Sequence, residues 1–262
     1  MLIITEWIGR LSNNILQIIR CIHYGKINNH SIIKFNKIDL LINNIIYINE
    51  NENENKDIIS HNFFYIKSLQ IEDAEPYKMK EYFLEYIKPI FKIDYNDIFD
   101  ERLHIHIRSG DICSNNPHPK YLPPPLSYYN NIINNYKDEE IILVSEDKLN
   151  ICINELLKNP NIIYKSSNII NDLEEFTNIK NLVMSVGLFQ FLLYLLNDNI
   201  ENIYIADYVL DEMPKGSWGD NVKLHIIELP NYIKNGEWIN NIEQQNILLN
   251  YNNCVPSSIK PI

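Results

Sequence analysis

Four short runs in the second half of the chain, Leu103 to Ile107, Ile141 to Ser145, Asn161 to Tyr164 and Ile203 to Ala206, carry strand-like patterning and are separated by stretches with helical spacing such as Leu149 to Lys158 and Gly187 to Leu196. Strands alternating with helices predict a parallel sheet covered on both faces, because parallel neighbours need a crossover long enough to hold a helix. In the first run Leu103, Ile105 and Ile107 alternate with His104, His106 and Arg108 at the period of a strand, which puts Arg108 at its carboxyl end. Open α/β sheets bind ligands outside the carboxyl ends of their strands. HIRSGD (106 to 111) and SED (145 to 147) are therefore expected at one crevice.

The first half reads as a smaller α/β lobe. An apolar run at 2 to 7 meets a turn signal at Gly9, and Asn14 to Tyr24 then carries Ile15, Ile18, Ile19 and Ile22 at helical intervals. Further β-rich runs lie at 31 to 35, 45 to 48 and 63 to 66, and ENENENK (50 to 56) is polar repetition that reads as a solvated loop. Ala74 to Ile93 predicts a helix up to Pro89, with Tyr82, Phe83 and Tyr86 as its buried face. The lobe boundary is expected near residues 94 to 101, giving an N-terminal α/β lobe over 1–98 and a C-terminal α/β lobe over 99–262.

Glycine and arginine are scarce, and three segments hold much of what there is. Seven glycines stand where about 18 would be usual at roughly 7%. Gly9, Gly110 and Gly187 fall in GRLSNN (9 to 14), HIRSGD and SVGLF (185 to 189), and two of the four arginines, Arg10 and Arg108, fall in the first two. Arg offers a planar fork matched to phosphate oxygens, and Gly lets backbone approach a ligand or adopt positive φ. HIRSGD has the parts of an anion clamp, with Asp111 able to orient the Arg108 guanidinium by a paired hydrogen bond. An Arg–Asp surface pair after an edge strand explains the same residues equally well. In GRLSNN, Asn13 or Ser12 serves as a helix cap on one reading, and the glycine loop presents N–H groups, Arg10 and Asn13 to a diphosphate or sugar on the other. SVGLF opens an apolar helix whose N-terminus attracts an anion, or is a plain helix start.

In combination and order these segments resemble a known family. GRLSNNILQ is similar to the G-R-L-G-N-Q-x-x-Q segment that opens the alpha-1,2-fucosyltransferases, HIRSGD resembles their H-x-R-R-x-D motif, shared in looser form with protein O-fucosyltransferases, and SVGLF resembles the third block of that family. The resemblance implies a GT-B-like fold of two Rossmann-like lobes with a cleft between them, and an inverting, metal-independent glycosyltransferase (a hexosyltransferase) acting in glycan biosynthesis. Its donor would be GDP-fucose and its acceptor a glycan hydroxyl, with no cofactor. By position, Arg10 and Asn13 would face the donor from the first lobe, His106 and Arg108 would meet its diphosphate, and Ser185, Gly187 and Phe189 would lie by the nucleotide. Arg108 would stabilise the departing phosphate, and Asp111 ranks first as general base. The sequence departs from the family where Ser12, Asn14, Ser109 and Leu188 stand for Gly, Gln, Arg and a hydroxyl residue. Ser109 removes one cation from the donor site, so another nucleotide sugar as donor stays an alternative.

Composition narrows the partners. A formal charge of -11 opposes a broad phosphate-binding surface, so no nucleic-acid partner is expected, whereas one small anion needs only a local pocket. Cys21, Cys113, Cys152 and Cys254 form no CxxC pair, which speaks against a disulfide framework or cysteine zinc site, and His104, His106 and His118 lack a metal-ligand spacing. No run of 18 apolar residues and no basic leader occur, which together with the cysteines predicts a cytoplasmic protein with no integral membrane segment. Two rivals remain beside the enzyme: a non-catalytic nucleotide-sugar or glycan-binding protein, and an interaction protein that uses YLPPPL (121 to 126) as a docking ligand. Trp218 is read either as an acceptor-stacking ring or as a partly buried aromatic.

Overall fold

A computed structural model describes residues 1–48, 55–64, 78–211, 213, 218–219 and 221–261. The chain divides into two compact units, one built from Met1–Asp94 and Pro214–Gly219, the other from Tyr95–Met213 and Asp220–Ile262. Both are α/β with largely parallel sheets.

In the first unit, strand β1 (Leu2–Ile4) lies between β2 (Ile32–Phe35) and β4 (Ile59–His61), parallel to both, and β3 (Ile45–Tyr47) closes one edge antiparallel to β2. Helix α1 (Leu11–Ile27) connects β1 to β2 and packs on both. Ile15, Ile18, Ile19 and Ile22 are at most 1% exposed, and each such side chain stabilises by about 1.5 to 3 kcal/mol relative to leaving it in water. The helix starts three residues before the expected Asn14, because Leu11 to Asn13 already take helical geometry and Asn14 N–H donates to Arg10 O. The run expected at 63 to 66 is displaced: the strand is β4, and Phe63 sits at φ +56 beyond its end, with residues 65 and 66 outside the described part. The core of ENENENK (50 to 54) and the first turn expected at 74 to 77 also lie outside it. Helix α2 (Lys78–Tyr82) comes next and runs into a π turn over Phe83–Ile87 and a 3-10 turn over Lys88–Ile90. Its buried face is Met79, Tyr82, Phe83 and Ile87, and Tyr86 is only half-buried.

The second unit holds a seven-stranded sheet. In chain order its strands are β5 (Asp100–His106), β6 (Ile141–Val144), β7 (Ile162–Lys165), β8 (Ile179–Val183), β9 (Asn202–Ala206), β10 (Lys223–Glu228) and β11 (Val255–Pro261). Their spatial order is β11-β10-β9-β8-β5-β6-β7, parallel except for the β10–β11 pair. Counted from β5, the first six strands lie 3-2-1-4-5-6, the order of doubly wound dinucleotide-binding sheets. Progression reverses between β5 and β8. In sheets of this order right-handed crossovers send helices to opposite faces on the two sides of that point, and ligands bind outside the carboxyl ends there.

Buried central strands explain why β5 carries histidines inside. His104 is 0% and His106 8% exposed, so the alternation of Ile and His does not separate core from solvent; both faces are covered, as in parallel sheets generally. Strand β8 is central although Lys180 and Asn181 interrupt its apolar run. Asn181 Nδ2 donates to Glu101 O at 2.6 Å and its Oδ1 accepts from Asn202 Nδ2 at 2.8 Å, which satisfies the amide between neighbouring strands.

Candidate anion-binding site

The loops after β5 and β8 flank the reversal point, and they carry HIRSGD and SVGLF. Arg108 leaves the end of β5 and is held on three sides. Its Nε donates to Asp111 Oδ1 at 3.2 Å and its Nη2 to Asp111 Oδ2 at 2.8 Å, a forked charge-assisted pair. Its guanidinium carbon lies 3.9 Å from the centroid of the Tyr121 ring, a cation–π stack. Its Nη1 rests against Gly187, where a Cβ would collide with it, and Gly187 has φ +92, a conformation that only glycine takes without strain. Of five N–H donors the fork uses two. The Nη1 donors remain beside the loop after β8.

Helix α6 (Phe189–Leu196 in chain order after α3 Leu126–Ile133, α4 Ile151–Leu156 and α5 Ile169–Glu174) begins at that loop. Its ladder opens with Gln190 N–H on Gly187 O at 3.3 Å and Phe191 N–H on Leu188 O at 3.1 Å, which leaves the N–H groups of Gly187, Leu188 and Phe189 ahead of the ladder. Oriented N–H groups and the positive end of the helix dipole favour an anion at such a terminus. Ser185, just before, is fully buried, and among the described residues its Oγ has no hydrogen-bond partner of ordinary geometry.

The loop bearing Arg108 is fixed from beneath. Ser109 is 0% exposed, its Oγ donates to Asp147 Oδ1, and the same hydroxyl accepts from Asn150 N–H at 2.9 Å. Asp147 Oδ1 also takes Gly110 N–H at 3.4 Å and Leu149 N–H at 2.9 Å. Asn150 caps α4 through Cys152 N–H while its Nδ2 donates to Arg108 O at 3.2 Å. The loops after β5 and β6 are thus one hydrogen-bonded body, which brings HIRSGD and SED together.

His106 does not add a second cation. It lies among Phe176, Phe189 (ring centroids 4.9 Å apart) and Gln190, whose amide contacts His106 Nδ1. Burial first, and Arg108 second, push its pKa down to about 3, so the ring is neutral at physiological pH. Asp111 has both carboxylate oxygens on Arg108, an orienting arrangement. Phe189 is half-buried at the helix start.

Burial also removes a nucleophile from consideration: the Cys113 thiol is pushed up to about 12, chiefly by burial. Among the described residues no group of three or more His, Cys, Asp or Glu is disposed to hold a metal ion, and no helix is long and apolar enough to cross a membrane.

In the first unit, Gly9 takes φ +72 and packs so closely on Asn13 that a Cβ would overlap the Asn13 amide. Asn13 lies in the first turn of α1 and Arg10 is exposed immediately before it. Gln17, which closes the GRLSNNILQ segment, secures this loop: its Oε1 accepts from Ile8 N–H at 2.8 Å and its Nε2 donates to Glu6 O and Asn62 O. Arg20 and Arg102 show a second use of scarce arginine. Arg20 Nη1 donates to Phe64 O, and Arg102 forks onto Asp100 with Nη2–Oδ2 at 2.6 Å.

The docking-ligand reading of YLPPPL is overturned. Leu122 to Pro125 are buried, and the Leu122 and Pro123 carbonyls accept from Tyr208 OH (2.9 Å) and Tyr232 OH (3.0 Å). The segment is a rigid internal turn that presents Tyr121 to Arg108. Trp218 is 4% exposed, a buried ring. Sequence reasoning missed Tyr121, Gln190 and Asn150; only Asn150 left a signal, as an N-cap type ahead of an apolar helix. No protein-family model matches the chain, and no curated protein or solved structure matches it at a significant level.

Proposed function

We propose that the second unit binds the diphosphate of a nucleotide sugar and that the chain is a metal-independent glycosyltransferase, resembling alpha-1,2-fucosyltransferases, that moves fucose from GDP-fucose to a glycan hydroxyl in the cytoplasm. On this reading each unit is a Rossmann-like lobe of a GT-B transferase. The observation that carries it is the convergence of the Arg108 Nη1 donors, Gly187 and the start of α6 at the reversal point of the sheet. Breaking the anomeric bond builds negative charge on the departing phosphate, and preplaced donors meet that charge without reorganising. Losing one such donor typically costs about 10² to 10³ in rate, or roughly 2.7 to 4 kcal/mol. Arg108 is that donor, Asp111 and Tyr121 hold its plane, and neutral His106 packs beneath. The first unit's Arg10 and Asn13 are tested separately, by the effect of R10A and N13A on turnover.

The test is release of GDP from GDP-fucose, with chelator present, over a panel of glycan acceptors. Turnover that R108A lowers about 100-fold or more supports the reading; absence of both GDP binding and turnover refutes it. A second reading, a nucleotide-sugar-binding protein without turnover, is favoured by Ser109. That residue is an internal strut where the resembled enzymes carry a second Arg, which lowers the positive charge available to a leaving group. Tight GDP binding with no release from GDP-fucose selects this second reading.

A further inference from the structure

We infer that Gln190 sets the tautomer of His106 and so presents the ring's Nε2–H to the diphosphate, an inference that rests on the nucleoside-diphosphate reading above. Gln190 is out of character with its helix. It is the one amide in FQFLLYLL (189–196), and it is 0% exposed. A buried amide costs free energy unless it is hydrogen-bonded, whereas a leucine at 190 would carry no such cost. The side chain's partner is His106 Nδ1, and its Oε1 has none. What the amide does to the histidine therefore explains its presence in an apolar core.

An amide NH2 can only donate, so Gln190 Nε2 against Nδ1 makes that nitrogen the bare acceptor. Turning the amide over would put two N–H donors where Oε1 now has no partner, and donors left unpaired in an interior are rarer than unpaired carbonyl oxygens. Burial keeps the ring neutral, and a neutral imidazole carries one proton. With Nδ1 bare, that proton is on Nε2.

The ring stands where such a donor counts. His106 ends β5, two residues before Arg108, and its ring lies 4.9 Å from that of Phe189, the first residue of α6. Phe176 packs against it edge-on. His106 keeps 8% exposure, and among the described residues no hydrogen bond takes its Nε2. An N–H donor beside Arg108 attracts a phosphate oxygen without adding charge, whereas the other tautomer would offer that oxygen a nitrogen lone pair. Gln190 is thus a positioning residue that acts on the ligand through His106.

Heteronuclear NMR of the isotope-labelled full chain reads the ring nitrogens directly, with the His106 signals assigned by their loss in H106F. Wild type is expected to show Nε2 protonated and Nδ1 bare, and Q190L, which cannot donate, a mixture of the two tautomers. A wild-type proton on Nδ1, or His106 signals unchanged in Q190L, overturns the inference. Calorimetric titration with GDP, at a temperature where every variant is folded, reads the consequence. H106F is expected to bind about tenfold more weakly than wild type, the loss of one hydrogen bond to a charged group. Q190L is expected to lose affinity by the inverse of its measured Nε2–H fraction, because only that tautomer is competent. The Q190L and H106F double variant is expected to match H106F within about twofold, since Gln190 then has no ring to orient. A Q190L loss that persists in the H106F background, or H106F binding as tightly as wild type, overturns the inference and leaves the diphosphate site standing. Absence of GDP binding by wild type, with the ring nitrogens as expected, removes the diphosphate reading and with it the donor role.

Discussion

Replacing Gly187 by Ala separates backbone strain from the placement of Arg108. Gly187 has φ +92, where an L-residue costs on the order of 1 to 3 kcal/mol, and its new Cβ would meet Arg108 Nη1. Gly236 supplies the control: it has φ +94, with no heavy atom within 4 Å of an ideal Cβ. Both variants should therefore lose about 1 to 3 kcal/mol from backbone strain. At about 2 to 4 °C per kcal/mol for a unit of this size, each should melt roughly 2 to 12 °C lower. Only G187A must also push the guanidinium off its seat between Tyr121 and Asp111. Thermal melts followed by GDP titration at a temperature where both variants are folded read the two effects. G187A should bind GDP at least about tenfold more weakly than G236A, equivalent to about 1.4 kcal/mol. Equal GDP affinity in the two variants would refute the claim that Gly187 exists to make room for Arg108.

Further outcomes concern the loop anchors and the buried histidine. Removing the Ser109 hydroxyl strands the buried Asn150 N–H and takes one of three donors from Asp147 Oδ1, so S109A should lose about 1 to 3 kcal/mol in denaturant unfolding, and D147A, which removes the acceptor of all three donors, should lose at least as much and weaken GDP binding; unchanged stability in both would contradict the strut. His106 has a folded pKa near 3 against about 6.5 unfolded, so the unfolded chain takes up the proton first and stability falls as pH drops from about 6.5 toward 3, by up to about 1.4 kcal/mol per pH unit. H106Q should flatten that part of the pH–stability curve, and an unchanged slope would show that His106 is not the group responsible. Trp238 is 0% exposed and its Nε1 donates to Ile112 O at 2.8 Å, so W238F should cost about 1 to 3 kcal/mol and loosen the loop of Arg108, read as faster amide exchange at Gly110 to Cys113.

How much of this was legible in the sequence depended on whether the signal was local. The Leu103, Ile105, Ile107 alternation marked β5, and HIRSGD at its end marked the loop that holds Arg108. Strand β8 was not legible, because Lys180 and Asn181 break its apolar run, and their acceptability depends on Glu101 and Asn202 from neighbouring strands. Without β8, the location of the sheet's reversal point could not be read, although glycines mark both loops flanking it. The start of α1 was set too late because Leu11 to Asn13 read as loop, whereas Gly9 at φ +72 makes the turn before them. The fork of Arg108 on Asp111 was visible at three residues' spacing. Its stack on Tyr121 and the Ser109–Asp147 tie were not, since they join segments whose proximity only the folded sheet creates.

Whether the Arg108 fork grips a diphosphate at the start of α6 is decided by a calorimetric titration of wild type and R108K with GDP in the presence of chelator. A lysine keeps the charge but not the planar fork, the Asp111 pairing or the Tyr121 stack. Wild type is expected to bind GDP in the micromolar range or tighter, and R108K at least about tenfold more weakly. GDP affinity that is the same in both proteins would contradict it.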